Sequence, residues 1–227
     1  MQHEGGRAGE EGLYKVGVDL CFPSGSIRGV INIQTMFLLV SGSGGAGKSH
    51  SMQYLRQWYP AVSIRDLDEY GVPAGKAERQ ERLEKWVQEA LRLQKLGESL
   101  ILVGQSPFGE LLACPSTPEL NSAGGCLLDC HDHVRIRRLN QRGDNWGSME
   151  MLSWACWHRM HAIDPQWRQD VIRDGCWEKL CWDRWIGWTA DDPRWKVRII
   201  DTSTLSGEEV AKQIHSIAAE TVTNPLQ

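Results

Sequence analysis

Short apolar runs alternate along the chain with longer segments whose apolar residues recur at helical spacing. Between about Lys76 and Leu96 the apolar residues follow an i, i+3, i+4, i+7, i+8 pattern, and Gly97 is a natural stop for a helix there. The short runs are typical of strands that are buried on both faces. The predicted strands are Met36–Val40, Ala61–Arg65, Leu100–Val103, Cys126–Asp129 and Val197–Ile200.

Helical segments follow most of these strands. Ser49–Trp58 comes after the first strand, Asp132 can cap a helix that runs to about Arg142, and Ser206 with Glu209 forms a capping box for a last helix. Alternating strands and helices predict a parallel sheet covered on both faces, which is an α/β fold. Ligands of such sheets bind beyond the carboxyl ends of the strands.

The first strand leads into a glycine-rich stretch, Gly42-Ser43-Gly44-Gly45-Ala46-Gly47-Lys48-Ser49, which matches the phosphate loop G-x-x-x-x-G-K-[ST]. Glycines let the backbone approach a polyphosphate closely, and the following helix directs its positive end at the same point. Lys48 would reach the β- and γ-phosphates of ATP, and the Ser49 hydroxyl would bind Mg²⁺. His50, the next residue, is also predicted to bind the nucleotide. The alternative is a glycine-rich turn without a ligand.

Two carboxylates follow the second predicted strand, at Asp66 and Asp68. At a strand end both would face the same rim of the sheet while Leu67 turns into the core. One could support Mg²⁺, for which Asp66 is the candidate, and the other could accept the proton of an acceptor hydroxyl. A solvated loop start is the alternative.

An arginine cluster lies on the predicted helix after the fourth strand. Arg135, Arg138 and Arg142 share one face of that helix. Arginine suits phosphate because its planar fork donates paired hydrogen bonds and keeps its charge. A solvated helix face would also account for the cluster.

Nine of the eleven tryptophans lie between Trp146 and Trp195. Most are expected to pack, because a segment with few aliphatic residues needs large apolar side chains to bury surface, and one or two could stack on an acceptor ring. His158, His161 and three cysteines raise zinc as a further alternative, but no pair of them has the spacing of a structural site.

Composition narrows the function classes. The chain has 227 residues, 41% of them hydrophobic, with a net charge of −4 and a pI near 6.0. This balance argues against nucleic acid and anionic lipid as general partners. The seven cysteines lack a C-x-x-C pair and predict reduced thiols in a cytoplasmic protein, and no apolar run predicts a membrane span or signal peptide. A monomer or homodimer is expected.

The N-terminal stretch, residues 1–35, is rich in glycine and has only short apolar fragments. It is predicted to be a poorly ordered extension, and the alternative is a β-hairpin that packs on the domain. The compact domain is expected over 36–227, with 143–195 as a tryptophan-rich lid or substrate segment.

The order of these features resembles that of the small-molecule kinases related to shikimate, gluconate and nucleoside monophosphate kinases, in the P-loop NTPase superfamily. The resemblance covers about Met36–Ala219, and only the phosphate loop is highly specific. It implies a three-layer α/β/α fold with a five-stranded parallel sheet in the order 2-3-1-4-5 and a lid insertion. It also implies ATP and Mg²⁺ as cofactors.

The resemblance assigns roles to particular residues. Lys48 and Ser49 would hold ATP and Mg²⁺, and Asp66 and Asp68 match the Asp-x-Asp that handles metal and acceptor hydroxyl. Arg138 and Arg142 match the arginines that flank the lid. Thr202, in Asp201-Thr202-Ser203, would lie near the adenine. Two features depart from the family: Gly104-Gln105 lacks the charged signature of many nucleotide kinases, and the lid is unusually rich in tryptophan.

The sequence therefore supports two main functions. The first is an ATP-dependent kinase that moves the γ-phosphate to a hydroxyl of a small molecule, such as a nucleoside, a sugar acid or an antibiotic. The second is a P-loop ATPase or nucleotide-dependent switch, which would use Asp129 at the end of Cys126-Leu127-Leu128-Asp129-Cys130. The missing second acid in that string weighs against the switch. A binding module without turnover is a third possibility.

Overall fold

Five parallel strands form one sheet in the order β2-β3-β1-β4-β5, so the strand order that the resemblance implies is confirmed. The structure is a computed structural model that describes residues 35–143, 147–195 and 197–223. The predicted extension, apart from Thr35, lies outside these residues. The strands are β1 Phe37–Ser41, β2 Ser63–Asp66, β3 Leu100–Val103, β4 Ala123–Asp129 and β5 Val197–Asp201.

Helices cover the sheet, and three of those in the described ranges were not predicted from the sequence. The helices are α1 Lys48–Trp58, α2 Lys76–Gln94, α3 Phe108–Ala113, α4 Asp132–Arg142, α5 Met149–Ile163, α6 Asp170–Arg173 and α7 Gly207–Thr223. The unpredicted ones are α3, α5 and α6. None of the helices within the described ranges has the length and apolar content that crossing a bilayer requires.

Strand β4 begins three residues earlier than the apolar pattern predicts, at Ala123. The added residues include Gly124 and Gly125, which are poor strand formers taken alone. A Cβ on Gly125 would lie 2.7 Å from the Phe108 ring, and one on Gly124 would lie 2.6 Å from Thr221 Oγ1. Glycine is therefore needed for close packing against α3 and α7, which hydrophobic patterning cannot reveal.

The tryptophan-rich segment is part of the main core. Trp157, Trp185 and Trp195 are buried in the same cluster as Phe37 and Leu39 of the central strand. The packing interpretation is confirmed for these three. Among the described residues, no group of three or more His, Cys, Asp or Glu side chains gathers as a metal site.

Helix α5 buries polar side chains and exposes apolar ones, and for this reason the hydrophobic pattern did not predict it. His158 and His161 are 3% and 1% exposed, whereas Met149 and Ile163 are 71% and 54% exposed. The apolar residues therefore do not define one face, and the buried histidines read as polar. His161 stacks on Trp157 with ring centroids 4.6 Å apart. Burial lowers the pKa of His158 well below its usual range and that of His161 to about 4.

These buried histidines predict that acid destabilises the fold. Below about pH 6.5 the unfolded chain binds protons at both histidines, while folded His161 stays neutral down to a pKa of about 4. Stability is therefore lost as the pH falls from 6.5 towards 4, and His161 alone accounts for about 2 kcal/mol between pH 7 and pH 5. Urea unfolding at the two pH values measures this loss.

The matched variants are His161→Phe, which keeps the aromatic stack, and His133→Phe at an exposed position. The first should reduce the loss of stability between pH 7 and pH 5, and the second should leave it unchanged. An identical pH dependence in both variants would contradict the assignment.

Candidate functional site

The phosphate loop joins β1 to α1 at the carboxyl edge of the sheet, with glycines where the backbone demands them. Gly42, Gly45 and Gly47 have φ of 156°, 76° and 94°. A Cβ on Gly42 would also lie 2.6 Å from the carbonyl oxygen of Leu128. The loop ends on the first turn of α1. The His50 N–H there donates to the Gly47 carbonyl oxygen, and the N–H groups before it have no preceding helical turn to donate to. The residues present thus fit the anion cradle that the sequence predicts.

Lys48 lies across the loop that precedes it. Its Nζ donates to the carbonyl oxygen of Ser43 (3.0 Å) and to that of Gly42. Burial lowers the pKa of Lys48 to about 8, and the nearby Asp66 acts in the opposite direction. Ser49 and His50, on the same first turn of α1, are exposed. The lysine charge is therefore held at the loop, next to the hydroxyl that would bind metal.

Arg135 of α4 holds the loop from behind. Its side chain is fully buried, and its Nη1 donates to the Ser43 hydroxyl (2.5 Å) and the Gly44 carbonyl oxygen (2.7 Å). Its Nη2 pairs with Asp129 Oδ1 at 2.6 Å. The guanidinium thus fixes the loop to the end of β4 and is not available above the loop.

Arg138, one turn further along α4, ties the loop to the end of β5. Its Nη1 donates to the Gly45 carbonyl oxygen (3.2 Å) and Thr202 Oγ1 (3.1 Å), and its Nη2 donates to the Thr202 carbonyl oxygen (2.6 Å). The Thr202 hydroxyl in turn donates to the Ala46 carbonyl oxygen at 3.0 Å. Arg142 lies on the exposed last turn of α4, and its charge lowers the pKa of Lys48. The structure therefore brings Arg138 to the loop, where it holds the backbone, and Arg142 acts on Lys48 through its charge.

Asp129, the acid that an ATPase would need, is bound by two arginines. Besides Arg135, the Arg159 Nε of α5 donates to Asp129 Oδ2 at 2.5 Å, and Arg159 also reaches Asp132 at 3.4 Å. Sequence reasoning missed Arg159 because α5 itself was not predicted.

Asp66 is the last residue of β2 and Asp68 follows two residues later, with Leu67 buried between them. The Asp68 N–H donates to Asp66 Oδ1 at 2.9 Å. Leu67 packs onto β3 where a Cβ on Gly104 would lie 2.7 Å from the Leu67 Cβ, so the glycine after β3 serves packing. Burial and the neighbouring Asp66 raise the pKa of Asp68, against the opposing charges of Lys48, Arg82 and Arg79. The structure thus brings both carboxylates into the field of Lys48.

Helix α5 covers the loop and the adjoining rim. The Gly44 N–H donates to Met151 Sδ at 3.2 Å. Trp154 lies one turn after Met151 on α5. The Arg79 guanidinium of α2 lies over its ring, 5.2 Å from the ring centroid. Arg79 is held by the fully buried Glu110 through Nε (3.2 Å) and Nη2 (2.5 Å). None of these residues was selected from the sequence, since a single Met, Arg or Glu on a helix carries no signal by itself.

The comparisons with known proteins concern the fold. No family model and no curated protein matches the sequence. A sugar kinase from Janibacter sp. HTCC2649 superimposes with a TM-score of 0.52 at 13% identity, over 80% of this chain and 93% of that chain. The tunicamycin resistance protein of Deinococcus radiodurans gives 0.50 at 16% identity, over 81% and 95%. The chain therefore has the fold that the sequence resemblance implies.

The position of Arg135 predicts a large stability difference along α4. Arg135→Met leaves Asp129 and the loop acceptors without their buried donor, and should lower the free energy of unfolding by about 3 kcal/mol or more. Arg137→Met, at an exposed position of the same helix, should change it by less than about 0.5 kcal/mol. Chemical unfolding of the two variants measures the difference, and equal effects would contradict a holding role for Arg135.

Proposed function

We propose that this chain, which has the fold of the P-loop small-molecule kinases, transfers the γ-phosphate of ATP to a hydroxyl of a small molecule. The observation that carries the proposal is the meeting of two parts at one edge of the sheet. The phosphate loop with Lys48 supplies the cradle for ATP, and the Asp66/Asp68 pair lies within the electrostatic reach of that lysine. Phosphoryl transfer needs these two parts together.

The donor set fits ATP with Mg²⁺. The glycine backbone and the first turn of α1 offer N–H donors, and Lys48 offers a positive charge. Ser49 and Asp66 would hold Mg²⁺, since hydroxyl and carboxylate oxygens are ligands that this ion accepts beside phosphate oxygens and water. Bound there, the ion would neutralise developing charge on the phosphates.

Asp68 is the better candidate for orienting the acceptor hydroxyl. Its pKa is raised by burial and by Asp66, which makes the carboxylate a stronger proton acceptor. Asp66 already accepts the Asp68 N–H, which fixes the turn and holds the two carboxylates in a defined relation. Arg138 and Arg142 would act by holding the loop and by adding positive charge near the phosphates.

The engagement of Asp129 supports a kinase over an ATPase or switch. A carboxylate that activates water or holds metal must offer its oxygens to the ligand, but both Asp129 oxygens accept from arginines. Using Asp129 for hydrolysis would require two ion pairs to break, one of them to a fully buried guanidinium.

The acceptor is proposed only as a class. Arg79 over Trp154, beside Asp68, would form part of its wall. Nucleosides, sugar acids and hydroxylated antibiotics fit a site with an aromatic ring, cations and carboxylates. The structural neighbours, named as a sugar kinase and a tunicamycin resistance protein, differ in their named ligands, so the fold does not choose among these classes.

Replacement of the loop lysine should remove phosphoryl transfer and leave the fold intact. Lys48→Ala removes a charge that stabilises the transferring group, a loss of about 3–4 kcal/mol or roughly a hundred- to thousandfold in turnover. Lys85→Ala, at an exposed position of α2, is the matched control. Undiminished ATP turnover by the folded Lys48→Ala protein would refute the nucleotide-site assignment.

The acidic residues should separate the two functions. Asp68→Asn should abolish transfer to the acceptor with ATP affinity retained, whereas Asp66→Asn should also weaken Mg²⁺-dependent nucleotide binding. Nucleotide affinity and acceptor-free hydrolysis are measured for both and for Asp129→Asn. An ATPase would instead show robust acceptor-free hydrolysis that survives both β2 changes and is lost with Asp129→Asn.

A further inference from the structure

We infer that Met151 occupies the place of the terminal phosphate of a nucleoside triphosphate, so that α5 in this arrangement favours diphosphate over triphosphate. The inference rests on the proposed function, because it concerns nucleotide at the same loop. Met151 would then set the preference between ATP and ADP, because its thioether and the terminal phosphate compete for the same backbone N–H.

The contact of Met151 with the loop is direct. The Gly44 N–H donates to the Met151 Sδ at 3.2 Å, and Met151 is 7% exposed. A Cβ on Gly44 would lie 3.1 Å from the Met151 Cε, so the methionine leaves room for a glycine there and for little else. A backbone donor of the phosphate loop is thus taken by a side chain from another helix.

The position of Lys48 indicates which phosphate the Gly44 N–H would face. In a phosphate loop the lysine reaches the β- and γ-phosphates, while the backbone N–H groups of the loop and of the helix start cradle the inner phosphates. The Lys48 ammonium lies on the carbonyl oxygens of Gly42 and Ser43. Gly44 directly follows Ser43, so its N–H lies towards the outer end of the cradle, away from Gly47 where α1 begins.

A thioether is a weak acceptor, and a phosphate oxygen is a strong charged one. ATP can therefore displace Met151, but part of its binding energy is used to do so. Arg159 opposes the displacement, because its pairs with Asp129 and Asp132 hold α5 two turns further along. ADP, which lacks the terminal phosphate, would leave the methionine and the helix where they are.

The test is the ratio of ATP to ADP affinity, measured by titration calorimetry with Mg²⁺ on the full chain. Met151→Ala should tighten ATP about fivefold, the worth of one ordinary hydrogen bond, and leave ADP nearly unchanged. Met151→Leu keeps the buried volume and removes the sulfur acceptor, so it decides the matter if the alanine variant does not fold. Met149→Ala, 71% exposed on the first turn of α5, is the matched control.

A ratio that rises with Met151→Ala and not with Met149→Ala supports the inference. A rise with Met151→Leu as well assigns the effect to the sulfur acceptor, and a rise with alanine alone still supports the inference but assigns the effect to the volume that Met151 fills. Equal tightening of ATP and ADP, or an unchanged or lower ratio, overturns the inference while the nucleotide site stands. Should the unmodified protein bind neither nucleotide, the proposed function falls and the inference falls with it.

Discussion

The buried guanidinium of Arg135 is the constraint on which the rest of the site depends. A fully buried charge is tolerated only when it is paired and hydrogen-bonded, and the protein supplies Asp129, the Ser43 hydroxyl and the Gly44 carbonyl oxygen. These three acceptors belong to two adjacent strand ends of the sheet. Satisfying the charge therefore fixes the phosphate loop against β4 and engages Asp129 Oδ1, while Asp129 Oδ2 accepts from Arg159.

The elements around the loop then have separate tasks. Helix α4 holds the loop from behind through Arg135 and Arg138, while α1 and the end of β2 supply the groups that would meet phosphate, metal and acceptor. Helix α5 contacts the loop through Met151, and the ion pair of Arg159 with Asp129 holds this helix in place. One side of the loop is thus held by the arginines of α4, and the other side is covered by the Met151 side chain.

Much of this arrangement could be predicted from the sequence, because local patterns encode it. The phosphate loop, the Asp66/Asp68 pair at the end of β2 and the capping box at Ser206 are short motifs that can be recognised without the fold, and Ser206 and Glu209 do exchange hydrogen bonds. The sheet order came from the resemblance that these motifs carry. The arginines of α4 were also found, but as phosphate ligands, since spacing on a helix cannot tell which acceptors will be buried beside it.

The unpredicted parts depend on contacts between distant segments. Helix α5 buries histidines and exposes Met149 and Ile163, so its pattern contradicts its environment. Gly124 and Gly125 lie in β4, outside the predicted strand, at positions where Phe108 and Thr221 leave no room for a Cβ. The fold brings together the partners of Met151, Arg159 and the Arg79–Glu110 pair from distant parts of the chain. Arg79 and Glu110 are 31 residues apart in sequence, and Gly44 and Met151 are 107 residues apart.

The central claim is transfer of the γ-phosphate to a hydroxyl, and ³¹P NMR of the products tests it most directly. The protein is incubated with ATP and Mg²⁺ and a panel of nucleosides, sugar acids and aminoglycoside-like compounds, and the fate of the γ-phosphorus is followed. A kinase gives a phosphomonoester resonance that appears with ADP only when the right acceptor is present. Inorganic phosphate released at the same rate with and without every acceptor would contradict the claim.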